Sequence, residues 1–492
     1  MHFYGAQPQY DLTYSDVFLI PSRSDVGSRL NVSLGSGDGT GMTTPLVASN
    51  MNAVTGPRLA ASIARRGGLG VLPQDLGADE TAEAIAWVKA QDAVWDAPFR
   101  ASAGATVAEA LRLAPPVAGF GVAVVADAAS ASALDDRLDL SGDVLGVIEL
   151  QRLARMPHDA TLGDLLHEAA PAIDAAAVGG ARELFDLLVE RELEFAAVVR
   201  DGRIVGSISR NGALRSTIYE PALDGGGRLR VAAAVGANAR AGARARDLVD
   251  AGADVLVVDT AHGHQGATLR ALEAVRGQDL GVPIVAGNVV SASGVRDLAA
   301  AGAHILKVGV GPGAMCTTRM MTAVGRPQFS AVLECVETAD AVGAHVWADG
   351  GVRYPRDVAL ALAAGASGVM IGSWFAGTVE APGEVRDDGD GRWYKESFGM
   401  ASTRAVEQRF SRLDAYEYAR KLLFAEGISS SRILIDPLRP SLEDLIDMIT
   451  TGVRSSCTYA GASNLREFRD RARVGIQSAA GYEEGKALPV SW

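Results

Sequence analysis

The chain has 492 residues, 48% hydrophobic and 21% charged, and 46 Lys and Arg against 59 Asp and Glu leave a formal net charge of −13. That apolar content supplies a sizeable core and excludes wholesale disorder. The acidic balance argues against a nucleic-acid binder, because phosphate contacts need clustered cations.

No apolar run approaches the roughly 18 residues of a membrane-crossing helix. The first residues carry no cationic stretch followed by an apolar core, so a cytoplasmic protein without a membrane partner is expected. The length predicts two or three domains. Three cysteines, Cys316, Cys335 and Cys457, cannot build a disulfide framework, which fits a reducing compartment and leaves room for one functional thiol.

In chain order, residues 1–94 read as the first part of a parallel-sheet domain. Thr44-Pro-Leu-Val-Ala-Ser-Asn-Met-Asn is a strand running into a polar loop, Pro57–Arg66 a helix, and Gly67-Gly-Leu-Gly-Val-Leu a second strand. Residues 95–218 differ. They are Ala-rich, poorer in glycine pairs, and form two similar units, about 95–155 and 156–218. Thr106-Val-Ala-Glu-Ala-Leu with Val144-Leu-Gly-Val-Ile parallels Ala181-Arg-Glu-Leu-Phe-Asp-Leu-Leu with Ile204-Val-Gly-Ser-Ile. An internal repeat between two barrel-like parts reads as an inserted domain; an unrelated α+β insert that only looks duplicated is the alternative.

Residues 219–492 resume the first pattern. Apolar, β-branched runs at Asp254-Val-Leu-Val-Val-Asp, Pro283-Ile-Val-Ala-Gly, Ile305-Leu-Lys-Val-Gly, His345-Val-Trp-Ala-Asp-Gly and Gly368-Val-Met-Ile-Gly alternate with helices such as Ala267–Arg276, Ser293–Ala301 and Asp357–Ala364. Repeated βα units predict a parallel sheet, and polar glycine-rich strand ends predict a (β/α)₈ TIM barrel. An open doubly wound sheet is the alternative. The long charged and aromatic stretch 383–433 reads as a mobile flap.

Four groups of residues carry candidate chemistry. Lys307-Val-Gly-Val-Gly-Pro-Gly-Ala-Met-Cys-Thr-Thr-Arg presents Cys316 on a glycine loop at a strand end, as a nucleophile would be presented, with two threonines and an arginine beside it. A structural cysteine is the alternative there, and the default for Cys335 and Cys457. Asp349-Gly-Gly and Gly372-Ser373 end successive strands, where backbone N–H groups cradle phosphate. In Asp259-Thr-Ala-His262-Gly-His264, the two histidines lack a third metal ligand at telling spacing, and Asp259 is a candidate for a nicotinamide ribose. Glu426, before a glycine in the flap, is either a general acid/base or a solvated carboxylate.

Gly309-Val-Gly-Pro-Gly-Ala-Met-Cys-Thr-Thr-Arg, Ala348-Asp-Gly-Gly-Val-Arg-Tyr and Leu362-Ala-Ala-Gly-Ala-Ser-Gly-Val-Met-Ile-Gly-Ser resemble the IMP dehydrogenase/GMP reductase family, over nearly the whole chain. The resemblance implies a barrel with purine nucleotide at the strand C-termini and a tandem CBS (Bateman) insert that takes ATP or GTP. It implies Cys316 as nucleophile at purine C2. Ser49, Asp349, Gly351, Gly372, Ser373, Gly399, Met400 and Ala401 would hold the nucleotide, and Asp259 and Asn288 the nicotinamide cofactor. Carbonyls of Gly311, Gly313 and Cys316 would hold a monovalent cation, K⁺, and the assembly would be a homotetramer, paired through the insert into an octamer.

Dehydrogenases of the family activate water with an Arg-Tyr pair on the flap. Here the nearest match is Arg409-Phe410, and phenylalanine lacks the hydroxyl of the tyrosine, which breaks the dyad. Pro327-Gln-Phe-Ser-Ala-Val-Leu-Glu-Cys, Ser456-Cys-Thr-Tyr-Ala-Gly-Ala, the Asn50-Met51 step and the pair Thr318 and Glu426 are similar to the reductases. The expected reaction is therefore NADPH-dependent reductive deamination of GMP to IMP and ammonia. Oxidation of IMP to XMP with NAD and water is the alternative, and a catalytically weak nucleotide sensor is a third reading. The departures are Asp259-Thr-Ala-His-Gly-His, which is dehydrogenase-like, a CBS insert that reductases usually lack, Pro73-Gln74 where the family carries His-Lys, Ala314 for a phosphate-contacting serine, and Ser397 where dehydrogenases have a phosphate-binding tyrosine. Arg152 and Gly212 stand where CBS repeats usually carry a ribose-binding aspartate.

Overall fold

The computed structural model describes residues 1–4, 7–126, 134–135, 143–398, 414–423 and 430–487. Eight parallel strands close on themselves: β1 (Leu46–Ala48), β2 (Leu69–Leu72), β3 (Ala232–Gly236), β4 (Val255–Asp259), β5 (Ile284–Val289), β6 (Ile305–Val308), β7 (His345–Asp349) and β8 (Gly368–Ile371). They pair in sequence order, and β8 returns to β1. Closure excludes the open doubly wound sheet.

The runs are largely apolar because both faces are covered. Val255, Val257, Ile305, Trp347 and Met370 fill the lumen, and the alternate residues Leu256, Val258, Leu306 and Val346 pack against the helices. Beneath the barrel, Asp38 closes the N-terminal end. Its carboxylate accepts the Trp347 indole N–H at 2.9 Å and the Ser367 hydroxyl at 2.9 Å.

The insert leaves the barrel after β2 and returns before β3. Its first half runs through a strand (Phe99–Ser102), a helix (Val107–Ala110), two strands (Gly121–Val125, Val144–Glu149) and a helix (Leu150–Leu153). Its second half repeats that order with Ala172–Asp174, Ala181–Glu190, Phe195–Arg200, Arg203–Ser209 and Arg210–Ser216. In each half the opening strand lies parallel to the second, and the last is antiparallel to the second. The pairing slips at the same place, Val124/Val125 and Val198/Val199. The opening strand of each half is an element the sequence reading lacked; each is short and flanked by loops, with little periodicity to read.

The insert is fixed to the barrel by buried charge. Arg215 meets Glu443, Asp444 and Asp447 at 3.0, 2.5 and 2.8 Å, Arg65 reaches Asp96 at 2.6 Å, and Arg66, paired with Glu443 at 2.7 Å, donates across to the Ser216 hydroxyl of the insert at 3.0 Å. These carboxylates lie on the long helix Leu442–Tyr459 and at the start of the insert. Past β8, Val379 is buried in the core of the first half of the insert. The flap region forms an antiparallel sheet of Arg386–Asp387, Trp393–Phe398 and Ser430–Leu434. Its buried Lys395 donates to the Val379 carbonyl at 3.0 Å and to that of Ala381.

Replacing Asp38 with alanine orphans the buried Trp347 N–H and leaves the Ser367 hydroxyl only the Val346 carbonyl, at 3.1 Å. The expected cost is about 2 kcal/mol or more, read as a thermal midpoint lowered by several degrees. An unchanged midpoint would show that this carboxylate does not hold the barrel floor.

Candidate active site

All eight strands point their C-terminal ends at one face, and the candidate groups collect there. β6 ends at Val308, and the chain turns through Gly309, Gly311 and Gly313 to reach Cys316. Gly309 sits at φ +154°, and a Cβ on it would come within 2.1 Å of the Asp349 carbonyl oxygen. Only glycine lets the thiol loop pass the end of β7 so closely. The Gln328 side chain seals this junction by donating to the carbonyls of Val308 at 2.8 Å and Asp349 at 3.2 Å. A Cβ on Gly350 would lie 3.2 Å from the Gly313 nitrogen, so the thiol loop and the Asp349-Gly350-Gly351 loop abut.

Cys316 is exposed. Its thiol donates to the Thr318 hydroxyl at 3.2 Å, and its N–H donates to the Gly313 carbonyl at 3.0 Å. The stem of Arg319 packs over Gly311 and Gly325. Cys335 and Cys457 lie buried in the helices Gln328–Ala341 and Leu442–Tyr459. Burial pushes both thiols up to about 12, so neither is an available nucleophile near neutral pH.

A line of polar side chains crosses the barrel mouth. Asn50, just beyond β1, donates to Asp259 of β4 at 2.8 Å. Lys307 of β6 reaches Asp259 at 2.7 Å and Asp349 of β7 at 2.7 Å. Asn288 of β5 donates to Asp349 at 2.9 Å and to the Gly309 carbonyl at 2.6 Å. Burial alone would lower the Lys307 pKa, but Asp259 and Asp349 outweigh it and hold the ammonium well above its ordinary value.

Ser49 follows β1 beside Gly372, where a Cβ would lie 3.2 Å from the serine hydroxyl. The Ser49 hydroxyl and the side-chain oxygens of Asn52 and Asn288 are buried with no hydrogen-bond partner among the described residues. Buried polar atoms are seldom left so, and all three belong to residues at or just beyond the C-terminal ends of β1 and β5.

The structure thus brings together Cys316, Thr318, Ser49, Asp259, Asn288, Asp349, Gly351, Gly372 and Ser373. Gly399, Met400, Ala401, Arg409, Phe410 and Glu426 lie outside the described residues. His264 pairs with Asp297 at 2.6 Å, and among the described residues no group of three His, Cys, Asp or Glu could hold a metal ion. Gln74, in place of the family's lysine, sits at the end of β3 against Gly236. The sequence reading passed over Lys307 and Gln328. A lysine inside an otherwise apolar strand was the available signal, because such a charge is rarely buried unless paired.

A closed parallel barrel with an accessible thiol and paired carboxylates gathered at the C-terminal ends of its strands is the layout of a barrel enzyme. The family model described as IMP dehydrogenase / GMP reductase domain matches residues 11–487. The chain is 52% identical over 489 residues, 99% of both chains, to a GMP reductase of Mycobacterium tuberculosis. It is 34% identical to an inosine-5′-monophosphate dehydrogenase of Staphylococcus aureus, over 96% of this chain and 94% of that one. A crystal structure of a cysteine-to-alanine variant of GMP reductase from Trypanosoma brucei, in complex with guanosine 5′-monophosphate, superposes with a TM-score of 0.67 at 31% identity, covering 98% of this chain and 99% of the other. The chain belongs to the IMP dehydrogenase / GMP reductase family.

The three thiols differ enough in environment for a chemical test. Iodoacetamide at neutral pH is expected to label one cysteine per native chain, located at Cys316 by mass spectrometry, with no label on Cys316→Ala. Comparable labelling of Cys335 or Cys457 in the native protein would contradict the burial described.

Proposed function

We propose that this chain is a GMP reductase, converting GMP to IMP and ammonia at the expense of NADPH. The observation that carries the reading is the full-length similarity to a GMP reductase at 52% identity, against 34% for the dehydrogenase. The geometry is consistent with the chemistry. Cys316, as thiolate, attacks C2 of the purine. The C2–N bond then breaks, and the amino group leaves as ammonia after taking a proton, with Thr318 and Glu426 as the proton-handling pair. NADPH, when bound, supplies the hydride that C2 receives. Breaking the C–S bond then returns the thiolate and frees IMP.

Binding roles follow from unspent hydrogen-bonding capacity. Ser49, Gly372 and Ser373 would take the phosphate, the first N–H groups of the short helix Ser373–Ala376 having no intrahelical acceptor. Asp349 accepts Lys307 and Asn288 on one oxygen, which leaves the other for a ribose hydroxyl beside Gly351. The unpartnered oxygen of Asn288 and the carboxylate of Asp259 would face the nicotinamide. Gly399, Met400 and Ala401 would close over the base. A monovalent cation such as K⁺ would share the Gly311, Gly313 and Cys316 carbonyls. The Gly313 carbonyl already accepts the Cys316 N–H, so it would offer one lone pair.

In this reading the duplicated insert is a tandem CBS module for adenine or guanine nucleotides, carried on a homotetramer that can pair into an octamer. Its two similar halves support the assignment. Arg152 and Gly212 occupy corresponding positions three residues after Glu149 and Ser209, the N-caps of the closing helices. Neither supplies a carboxylate for a ribose.

A paired absorbance assay at the reduced-nicotinamide band tests the reaction. GMP with NADPH is expected to lose absorbance and release ammonia, while IMP with NAD and K⁺ stays flat. Gain of absorbance in the second cuvette would replace the reductase by the dehydrogenase. Cys316→Ala is expected to lose turnover on the order of 10⁴-fold or more while still binding GMP; retained turnover would remove the thiol from the mechanism. ATP and GTP are each expected to change the rate, and no effect from either would remove the regulatory role of the insert.

A further inference from the structure

We infer that Lys307 is a positioning residue that registers the nucleotide and cofactor subsites against each other, one ammonium holding the carboxylate of each. The inference rests on the reductase reading for which ligand each carboxylate meets. Lys307 follows Ile305 at the spacing that points both into the lumen, and it lies where the apolar filling of the barrel ends. It is 3% exposed. Its Nζ lies 2.7 Å from Asp259 and 2.7 Å from Asp349.

Those aspartates stand on β4 and β7, which are not neighbours: β5 and β6 separate them. No ladder pairs these two strands directly, and the lysine is the side chain that ties one carboxylate to the other. Asn50 and Asn288 brace the two carboxylates from outside. Asn288 also donates to the carbonyl of Gly309, the first residue of the thiol loop. The chain Asn50–Asp259–Lys307–Asp349–Asn288–Gly309 therefore joins the cofactor side, the ribose side and the approach to Cys316. Reactions of this kind need two reactants held in line, and displacement of about 1 Å costs on the order of 10²-fold in rate.

A shared counter-ion makes a kinetic signature that a brace for folding does not. Asp349→Asn is expected to raise KM chiefly for GMP, and Asp259→Asn chiefly for NADPH. Lys307→Met is expected to raise both KM values together and to lower kcat by about ten- to a hundredfold. Lys307→Arg, which keeps the charge but moves it, should fall between Lys307→Met and the native enzyme. A rise in only one KM, or a lowered thermal midpoint with both KM values and kcat unchanged, would overturn the inference.

If Lys307→Met does not fold, Lys307→Arg carries the test by the same criterion: a joint rise supports the shared role and a single or absent rise overturns it. If the native enzyme leaves GMP and NADPH untouched but reduces NAD with IMP, the reductase reading fails. The same split, measured with IMP and NAD, then decides the role of Lys307 separately.

Discussion

Closing eight parallel strands places every one of them between a filled lumen and a ring of helices, so a charge in that wall survives only in company. Lys307 is that charge. Two aspartates flank it, and each is held in turn by an asparagine. The depth of the barrel sets the logic of the mouth. Below Lys307 the lumen is apolar, with Ile305, Val257, Val285 and Trp347 filling it. Above it the strands turn polar and release glycine loops. Ligand chemistry begins where the packed layer stops, and the lysine marks that boundary.

Much of this was legible from local pattern. Continuous β-branched runs separated by helices gave the parallel sheet, because burial on both faces leaves no alternation to read. The glycines before Cys316 and after Asp349 flagged the strand ends that carry chemistry. Lys307 was not legible in that way. Its importance depends on side chains 48 residues upstream and 42 downstream in number, Asp259 and Asp349, which only closure of the barrel brings together. The docking of the insert was hidden for the same reason. Arg65 and Arg66 read as the cationic end of the first helix, a favourable place for them. Their partners, Asp96 and Glu443, sit one at the start of the insert and one in the last third of the chain.

The three cysteines show how much environment decides. In residue type they are equal. Cys335 and Cys457 occupy helix faces turned into the main core, where desolvation suppresses the thiolate. Cys316 stands beyond a strand end, on a loop that must be glycine-rich because the neighbouring strand end is within contact distance of its backbone. The same glycines that permit this close approach leave the thiol exposed and beside a hydroxyl. Reactivity here is a consequence of how the chain leaves the barrel.

An acidic chain that buries its cations selectively shows where its parts are joined. Lys89 ties the helix Ala78–Ala90 to Asp224, where the chain re-enters the barrel from the insert, and to Asp254, just before β4. Arg65, Arg66 through Ser216 and the Gly212 carbonyl, and Arg215 join the insert to the barrel, and Lys395 joins the flap sheet to the segment after β8. Loops meeting at such seams expose carbonyls and carboxylates that apolar side chains cannot satisfy. A long cationic side chain reaches several acceptors at once, and stripping it away leaves buried acceptors unpaired, which costs more than the pairing itself contributes. Val379 belongs to the core of the first half of the insert, and its carbonyl holds the ammonium of the flap strand. The insert and the flap therefore share one anchor, placed just past the short helix Ser373–Ala376 that follows β8.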